Sequence, residues 1–419
     1  MRPVNASIIT IGDELLIGQT IDTNSAYIGQ ELNKIGIWLK RRIAVGDVKE
    51  EILDAIAGQS KDNDVIIITG GLGPTADDIT KPALCEYFNE HLVVNESVLQ
   101  HVTNIFARLN RPMLERNAKQ AEVPANCVVL HNERGTAPGM WFEKNGVIII
   151  SLPGVPHEMK GLMEHEVLPR LQQKLELPAV QHRTLLTAGQ GESFIAERIS
   201  HFETALPAHI KLAYLPAYGM VRLRLTGRAT DVNTLTTELD TLFDQLKGLV
   251  KEWLVVDQDI SIAEAVSRLL KTKGKTVATA ESCTGGYIAH LITSKAGSSS
   301  IYNGSVVSYA NSAKQNLLGV KEETLQQFGA VSEETVRDMA QGAITALETD
   351  YAIATSGIMG PDGGTQEKPV GTVWIAVASK ERIRTSKQHF RFDRQRNIEL
   401  TAHTALNLLR VFILEEENE

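Results

Sequence analysis

The chain has 419 residues, 43% hydrophobic and 22% charged, enough for roughly two to four domains that each bury a core. A net charge of −9 and a pI near 5.7 argue against a broadly basic nucleic-acid binder, and three cysteines without paired spacing argue against a disulfide framework or a cysteine zinc site. The first residues lack the apolar core of a signal peptide and no apolar run reaches the ~20 residues of a bilayer span, so a cytoplasmic protein without a membrane partner is expected.

Residues 6–12 read as a strand ending in glycine. Gly12-Asp13-Glu14-Leu15-Leu16-Ile17-Gly18 follows, with Asp22 and Asn24 just beyond, where α/β folds place their binding loops. A helix is expected over 26–35, a strand over 39–45 and a helix over 50–57. The apolar run 64–69 is a strand that enters Gly70-Gly71-Leu72-Gly73-Pro74-Thr75-Ala76-Asp77-Asp78. Glycines permit close approach of backbone to ligand. Gly70, Gly71, Gly73 and Thr75 therefore read as a phosphate cradle, with the acidic pair opening the next helix beside it. The bland alternative is a tight turn with an acidic N-cap. Helices over 96–109 and 114–121, strands over 139–143 and 147–152, and a helix opened by Leu152-Pro153-Gly154-Val155-Pro156-His157-Glu158-Met159 complete a first domain, residues 1–175. The alternation of strands and helices predicts a mostly parallel sheet covered on both faces.

Residues 176–255 read as β-α-β-β-α, a small α+β domain. In the strand 220–226, Val221, Leu223 and Leu225 alternate with Arg222 and Arg224. These arginines, with Arg228, read as a solvated outer face rather than a basic binding strip.

Residues 256–419 form a third α/β unit. A helix over 261–271 precedes a buried strand over 276–280, then Glu281-Ser282-Cys283-Thr284-Gly285-Gly286 and a helical stretch from Tyr287. A hydroxyl at such a strand–turn–helix junction is either an N-cap or a nucleophile. Two further strand ends carry glycine or hydroxyl residues: Tyr309-Ala310-Asn311-Ser312-Ala313-Lys314, and Ser356-Gly357-Ile358-Met359-Gly360-Pro361-Asp362-Gly363-Gly364. If these ends converge, Ser282 meets Lys314 and Tyr309. A desolvated lysine can take a serine's proton, so a Ser–Lys pair with tyrosine as relay is expected. Cys283 is the alternative nucleophile, but no histidine stands in a supporting place. The loop 357–364 is a candidate oxyanion or phosphate cradle. Ser332 is expected to cap a long helix, strands to cover 370–378 and 385–392, and a helix to close the chain over 394–414.

With these motifs in view, the whole chain resembles the CinA (competence/damage-inducible protein A) family. The likeness rests on Gly12–Gly18 with Asp22 and Asn24, on Thr69–Asp78, Leu152–Met159, Ala280–Gly286, Tyr309–Lys314, Gly329–Ser332 and Ser356–Gly364. It implies a molybdopterin-binding-like three-layer N-terminal domain, a KH-like middle domain that links or dimerises, and a C-terminal amidohydrolase domain. It further implies a homodimer and two activities in pyridine-nucleotide salvage. The C-terminal domain would hydrolyse the carboxamide of nicotinamide mononucleotide (NMN) without a cofactor, with Ser282 as nucleophile, Lys314 as base and Tyr309 as their partner. Glu281, Thr284, Gly285, Asn311, Ser356, Gly357, Gly360 and one or both of Arg394 and Arg396 would bind substrate. The N-terminal domain would cleave ADP-ribose with a divalent metal at Asp22 and Asp78, the phosphates lying on Gly70, Gly71, Gly73 and Thr75. Two rival expectations remain at this point: a pterin-binding or molybdenum-cofactor protein, and a non-catalytic partner in competence or DNA damage.

Overall fold

The structure is a computed structural model that describes residues 3–75 and 77–416. Two compact units emerge: residues 1–181 with 227–237, and residues 182–226 with 238–419.

In the first unit six strands form one sheet, in the order Trp38–Val45, Asn5–Ile11, Val65–Thr69, Val147–Leu152, Gly139–Lys144, Val128–Leu130. The first four pair in parallel, and the last two pairings are antiparallel. The sheet is therefore mostly parallel, as the alternation of elements predicts. Side-chain alternation splits each strand between two cores. Ile8 and Ile67 face the helix Thr23–Lys34 through Ile28 and Leu32, while Ile9, Ile66 and Ile68 face Ile52, Ile56 and Leu84 on the other side. The parallel strands end together, and Gly12, Gly46, Gly70 and Gly154 follow their ends. Two details differ from the sequence reading. The helix after the glycine loop starts at Thr80, with Ile79 as an N-cap that offers no side-chain bond, because Asp78 is used elsewhere. The short strands Leu92–Val94, Glu122–Pro124 and Val128–Leu130 were too brief to show a period.

The middle segment has the expected β-α-β-β-α order, with an added strand Leu254–Val256, and its sheet runs Ile210–Ala217, Met220–Ala229, Ala179–Ala188, Leu254–Val256. Its arginines are not a plain solvated face. Arg222 is half-buried and lies 3.3 Å from Asp259, and Arg228 lies over the Trp38 ring at 4.7 Å.

The C-terminal sheet has the order Tyr302–Val307, Val277–Glu281, Tyr351–Gly357, Thr372–Ser379, Ile383–His389. Its first three strands pair in parallel, and the last two pairings are antiparallel. One face carries Val277, Ile353 and Ile375 against the helices Ile262–Lys273, Tyr287–Thr293 and Arg394–Glu416. The other face is a layer of alanines, Ala278, Ala280, Ala352, Ala354, Ala376 and Ala378, against the helix Glu333–Leu347. Small residues let that helix sit close to the sheet. A methyl group on its Gly342 would overlap the Leu318 carbonyl oxygen, so the helix Asn311–Leu318 also packs at short range. Ser332 caps the 333–347 helix through a bond from the Thr335 N–H, as expected. No helix among the described residues is long and apolar enough to cross a membrane.

Candidate functional site

Ser282 follows directly on the central strand Val277–Glu281. Its N–H donates to the Thr355 carbonyl at 3.0 Å, which ties the turn to the neighbouring strand end. Lys314 comes from the first turn of the helix Asn311–Leu318, which follows the edge strand Tyr302–Val307. The register of Glu281 with Val307 and Thr355 brings the three strand ends level. Lys314 is 1% exposed, and its Nζ lies 3.0 Å from Ser282 Oγ. The same Nζ donates to the Ser308 carbonyl at 2.8 Å and to the Tyr309 carbonyl at 3.3 Å. Burial lowers the Lys314 pKa below the usual lysine range. A neutral amine that donates its two N–H groups to those carbonyls turns its lone pair toward the Ser282 hydroxyl.

Cys283 has the opposite character. It is buried in the core with Ile288 and Ile353, and burial pushes its thiol pKa up to about 12. A thiol held neutral is a poor nucleophile.

Glu281 is fully buried. Its carboxylate accepts from the N–H groups of Gly286, Ile288 and Ala289 at 3.1, 3.0 and 2.9 Å. It also accepts from the hydroxyls of Thr284 at 2.7 Å and Thr279 at 3.2 Å. The carboxylate therefore occupies the start of the helix Tyr287–Thr293, where a substrate anion would otherwise bind.

Arg394 donates to the Gly360 carbonyl at 2.9 Å and to the hydroxyl of Tyr309, the residue whose carbonyl holds Lys314, at 3.2 Å. Beneath it, buried Asn397 donates to the carbonyls of Met359 and Phe392. One side chain thus joins the 358–364 loop to the start of the closing helix.

In the first unit a cleft of about 120 Å³ opens at the ends of the parallel strands, lined by Thr10, Glu14, Asp22, Asn24, Thr69 and Gly70 among others. Asn24 donates to Thr69 Oγ1 at 3.2 Å and to the Gly154 carbonyl at 2.7 Å.

Three family profiles match consecutive parts of the chain. "Probable molybdopterin binding domain" covers residues 7–173, "Damage-inducible protein CinA KH domain" residues 182–255, and "CinA C-terminal domain" residues 259–413. The CinA-like protein of Cytophaga hutchinsonii is 47% identical over 407 residues, 97% of each chain. The chain belongs to the CinA family. The CinA-like protein of Flavobacterium psychrophilum is 46% identical, over 98% of this chain and 99% of its own. Among solved structures, the competence/damage inducible protein CihA from Agrobacterium tumefaciens is 40% identical, covering 36% of this chain and 94% of its own with a TM-score of 0.34.

Against this CinA fold, the residues singled out in the sequence sort as follows. Ser282 and Lys314 meet. Tyr309 reaches Lys314 only through its main-chain carbonyl; its ring is 66% exposed and turns to Arg394, so the hydroxyl is not a relay between serine and lysine. Glu281 and Thr284 are buried in the helix start and not open to substrate, because the helix N–H groups had no other acceptor. The N-cap position falls to Gly286 rather than Thr284. Ser356 is 1% exposed and its hydroxyl is spent on the Ala330 carbonyl at 2.6 Å. Gly357 lies against Val373, where a Cβ would meet backbone, so its small size serves strand pairing. Gly285 and Asn311 are exposed beside the site. Gly360 is buried, with its carbonyl on Arg394. Arg396 lies over the Phe392 ring at 4.8 Å and lines a different cleft. Thr355 and Ser308, whose carbonyls fix the serine and the lysine, carry no signal in sequence because a carbonyl is common to every residue.

In the N-terminal domain the glycine loop closes on itself. Asp78 accepts from the N–H groups of Gly73 and Thr75 at 2.6 and 2.8 Å and from the Thr75 hydroxyl at 2.5 Å. Gly73 and Thr75 are therefore spent on Asp78, not offered to a phosphate. Gly70 and Gly71 have positive φ, 117° and 63°, and a Cβ on either would strike the Ile11 carbonyl or Thr80. Asp22 caps the helix Thr23–Lys34 through the Ser25 N–H at 2.8 Å. Among the described residues no three His, Cys, Asp or Glu side chains gather in a metal-holding group. With Asp22 and Asp78 both engaged by backbone donors, this donor set does not fit the expected divalent-metal centre.

Proposed function

We propose that the C-terminal site of this CinA protein is a Ser–Lys amidohydrolase that converts the carboxamide of NMN to the carboxylate, releasing ammonia. The observation that carries this reading is the 3.0 Å contact between Lys314 Nζ and Ser282 Oγ, made by a buried lysine whose other hydrogen-bond partners among the described residues are two carbonyls. Lys314 takes the hydroxyl proton as Ser282 Oγ attacks the carboxamide carbon. The resulting ammonium then gives its proton to the departing nitrogen, leaving an ester on Ser282 and free ammonia. A water enters, Lys314 removes its proton, and attack on the ester carbon frees the acid and restores Ser282. Arg394 has guanidinium donors beyond those used on Gly360 and Tyr309, and it supplies the positive charge for the substrate phosphate at the mouth. Ammonia release from NMN by Ser282→Ala should fall by roughly 10³-fold or more, while Cys283→Ala should stay within a few-fold of wild type. Retained activity in Ser282→Ala with loss in Cys283→Ala would refute the assignment.

A second reading concerns the N-terminal domain. Its cleft at the strand ends, rimmed by the acceptors Glu14, Asp22 and Asn24, favours the hydroxyl-rich ribose of ADP-ribose. Asp22→Asn keeps a competent helix cap and should lower ADP-ribose cleavage. Unchanged turnover would remove Asp22 from that site.

A further inference from the structure

A separate cleft of about 640 Å³ lies within the second unit, and neither Ser282 nor Lys314 lines it. That volume falls in the ~300–1,000 Å³ range of small-molecule sites. Its walls are the loop 188–192, the hairpin turn 216–221, Gln388 and Phe390, and the closing helix from Arg396 to Asn407.

The chemistry of the walls defines an occupant. Arg396 lies over the Phe392 ring, and among the described residues no carboxylate forms an ion pair with its guanidinium. Arg394, two residues earlier, reaches Gly360 and Tyr309 instead. The two arginines of this turn therefore serve different places. Apolar surface is supplied by Phe390, Met220 and Leu400. Tyr218 stands at the hairpin tip with φ 52°, a conformation that strains a bulky side chain. Its ring is stacked on His403 at 4.4 Å and 11°, which holds it at the cleft. The 13-residue helix Glu192–Thr204 also begins here, behind Gly191, with no side-chain cap on its first N–H groups. Among the described residues lining the cleft, Glu192 is the one opposing charge.

We propose that this cleft is a second, non-catalytic binding site for a phosphorylated aromatic compound of nucleotide size. Its phosphate rests on Arg396 and its ring lies along the Tyr218 and Phe390 wall. The arrangement suits an effector, since the reactive pair Ser282 and Lys314 lies outside the cleft.

The test is calorimetric titration of the full chain with adenosine 5′-monophosphate and, separately, with inorganic phosphate. The catalytic site and the N-terminal cleft are both proposed to take nucleotides, so the readout is the difference between wild type and cleft variants. Arg396→Gln, and Thr404→Trp, which fills the cleft, should each weaken one class of nucleotide site by about tenfold or more, the scale of one lost charge-assisted bond. Glu192→Gln should tighten the same class, and phosphate alone should bind it more weakly than the nucleotide. Unchanged melting temperatures would show that the variants are folded. Coincident isotherms for wild type, Arg396→Gln and Thr404→Trp would overturn the proposal.

Discussion

At the scale of single residues, Lys314 shows how one side chain serves chemistry at the expense of stability. Burial without a carboxylate partner disfavours its charged form, so its folded pKa lies below the 10.5 of an ordinary lysine. Between the folded and unfolded values the unfolded chain binds more protons, so stability rises with pH across that window. Below the folded value the full cost is present. Lys314→Met removes that cost. Ammonia release from NMN should drop roughly 10²–10⁴-fold with loss of the base, while urea denaturation at neutral pH should show equal or greater stability. A marked loss of stability would mean that the three contacts of the amine outweigh its desolvation. In the wild type, deamidation should rise with pH as Lys314 loses its proton, with a midpoint below 10.5. A rate that falls over the alkaline limb of the same profile would contradict a lysine base.

At the scale of elements, the helix Tyr287–Thr293 depends on a carboxylate from the preceding strand. Glu281 accepts from three backbone N–H groups and two hydroxyls. Removing a buried acceptor strands its donors, at about 1–3 kcal/mol for each group left unpaired. Glu281→Ala should therefore cost more than an ordinary N-cap deletion of ~0.5–2 kcal/mol. Glu281→Gln, which keeps an acceptor oxygen, should cost less, and chemical denaturation would rank the two. Equal stability of both variants and wild type would show that the cap is dispensable. A second element-scale prediction concerns Gly342. Alanine in a helix interior gains roughly 1 kcal/mol over glycine, but here the added methyl overlaps the Leu318 carbonyl. The clash should win, because a backbone oxygen cannot swing aside. The helix bearing Lys314 would shift, and Gly342→Ala should lose NMN turnover and melting temperature together. A variant more stable than wild type would show that the contact yields easily.

At the scale of the whole molecule, the segment 182–226 belongs to the same compact unit as the C-terminal sheet. Leu186 and Met220 are buried in one core with Ile262, Val266 and Leu406. A fragment of residues 256–419 would expose those partners, and burying one large apolar side chain is worth about 1.5–3 kcal/mol. The fragment 182–419 should therefore melt several degrees higher than 256–419 in calorimetry. Equal melting temperatures would mean that the shared core adds nothing.

The alternation of apolar strands and helices by itself determined the α/β architecture, because side-chain period and element length are local properties. It also exposed Ser282 and Lys314, since each stands at the start of a helix that follows a strand. The acceptor duties of Glu281 and Asp78, the outward turn of the Tyr309 ring and the divergence of Arg394 from Arg396 were decided only by tertiary structure. Each of these depends on which donors and acceptors the folded chain leaves unpaired nearby. Glu281 and Asp78 look like ligand-facing carboxylates in one dimension. In three dimensions the nearest donors were the backbone N–H groups of their own loops, and those took the carboxylates first.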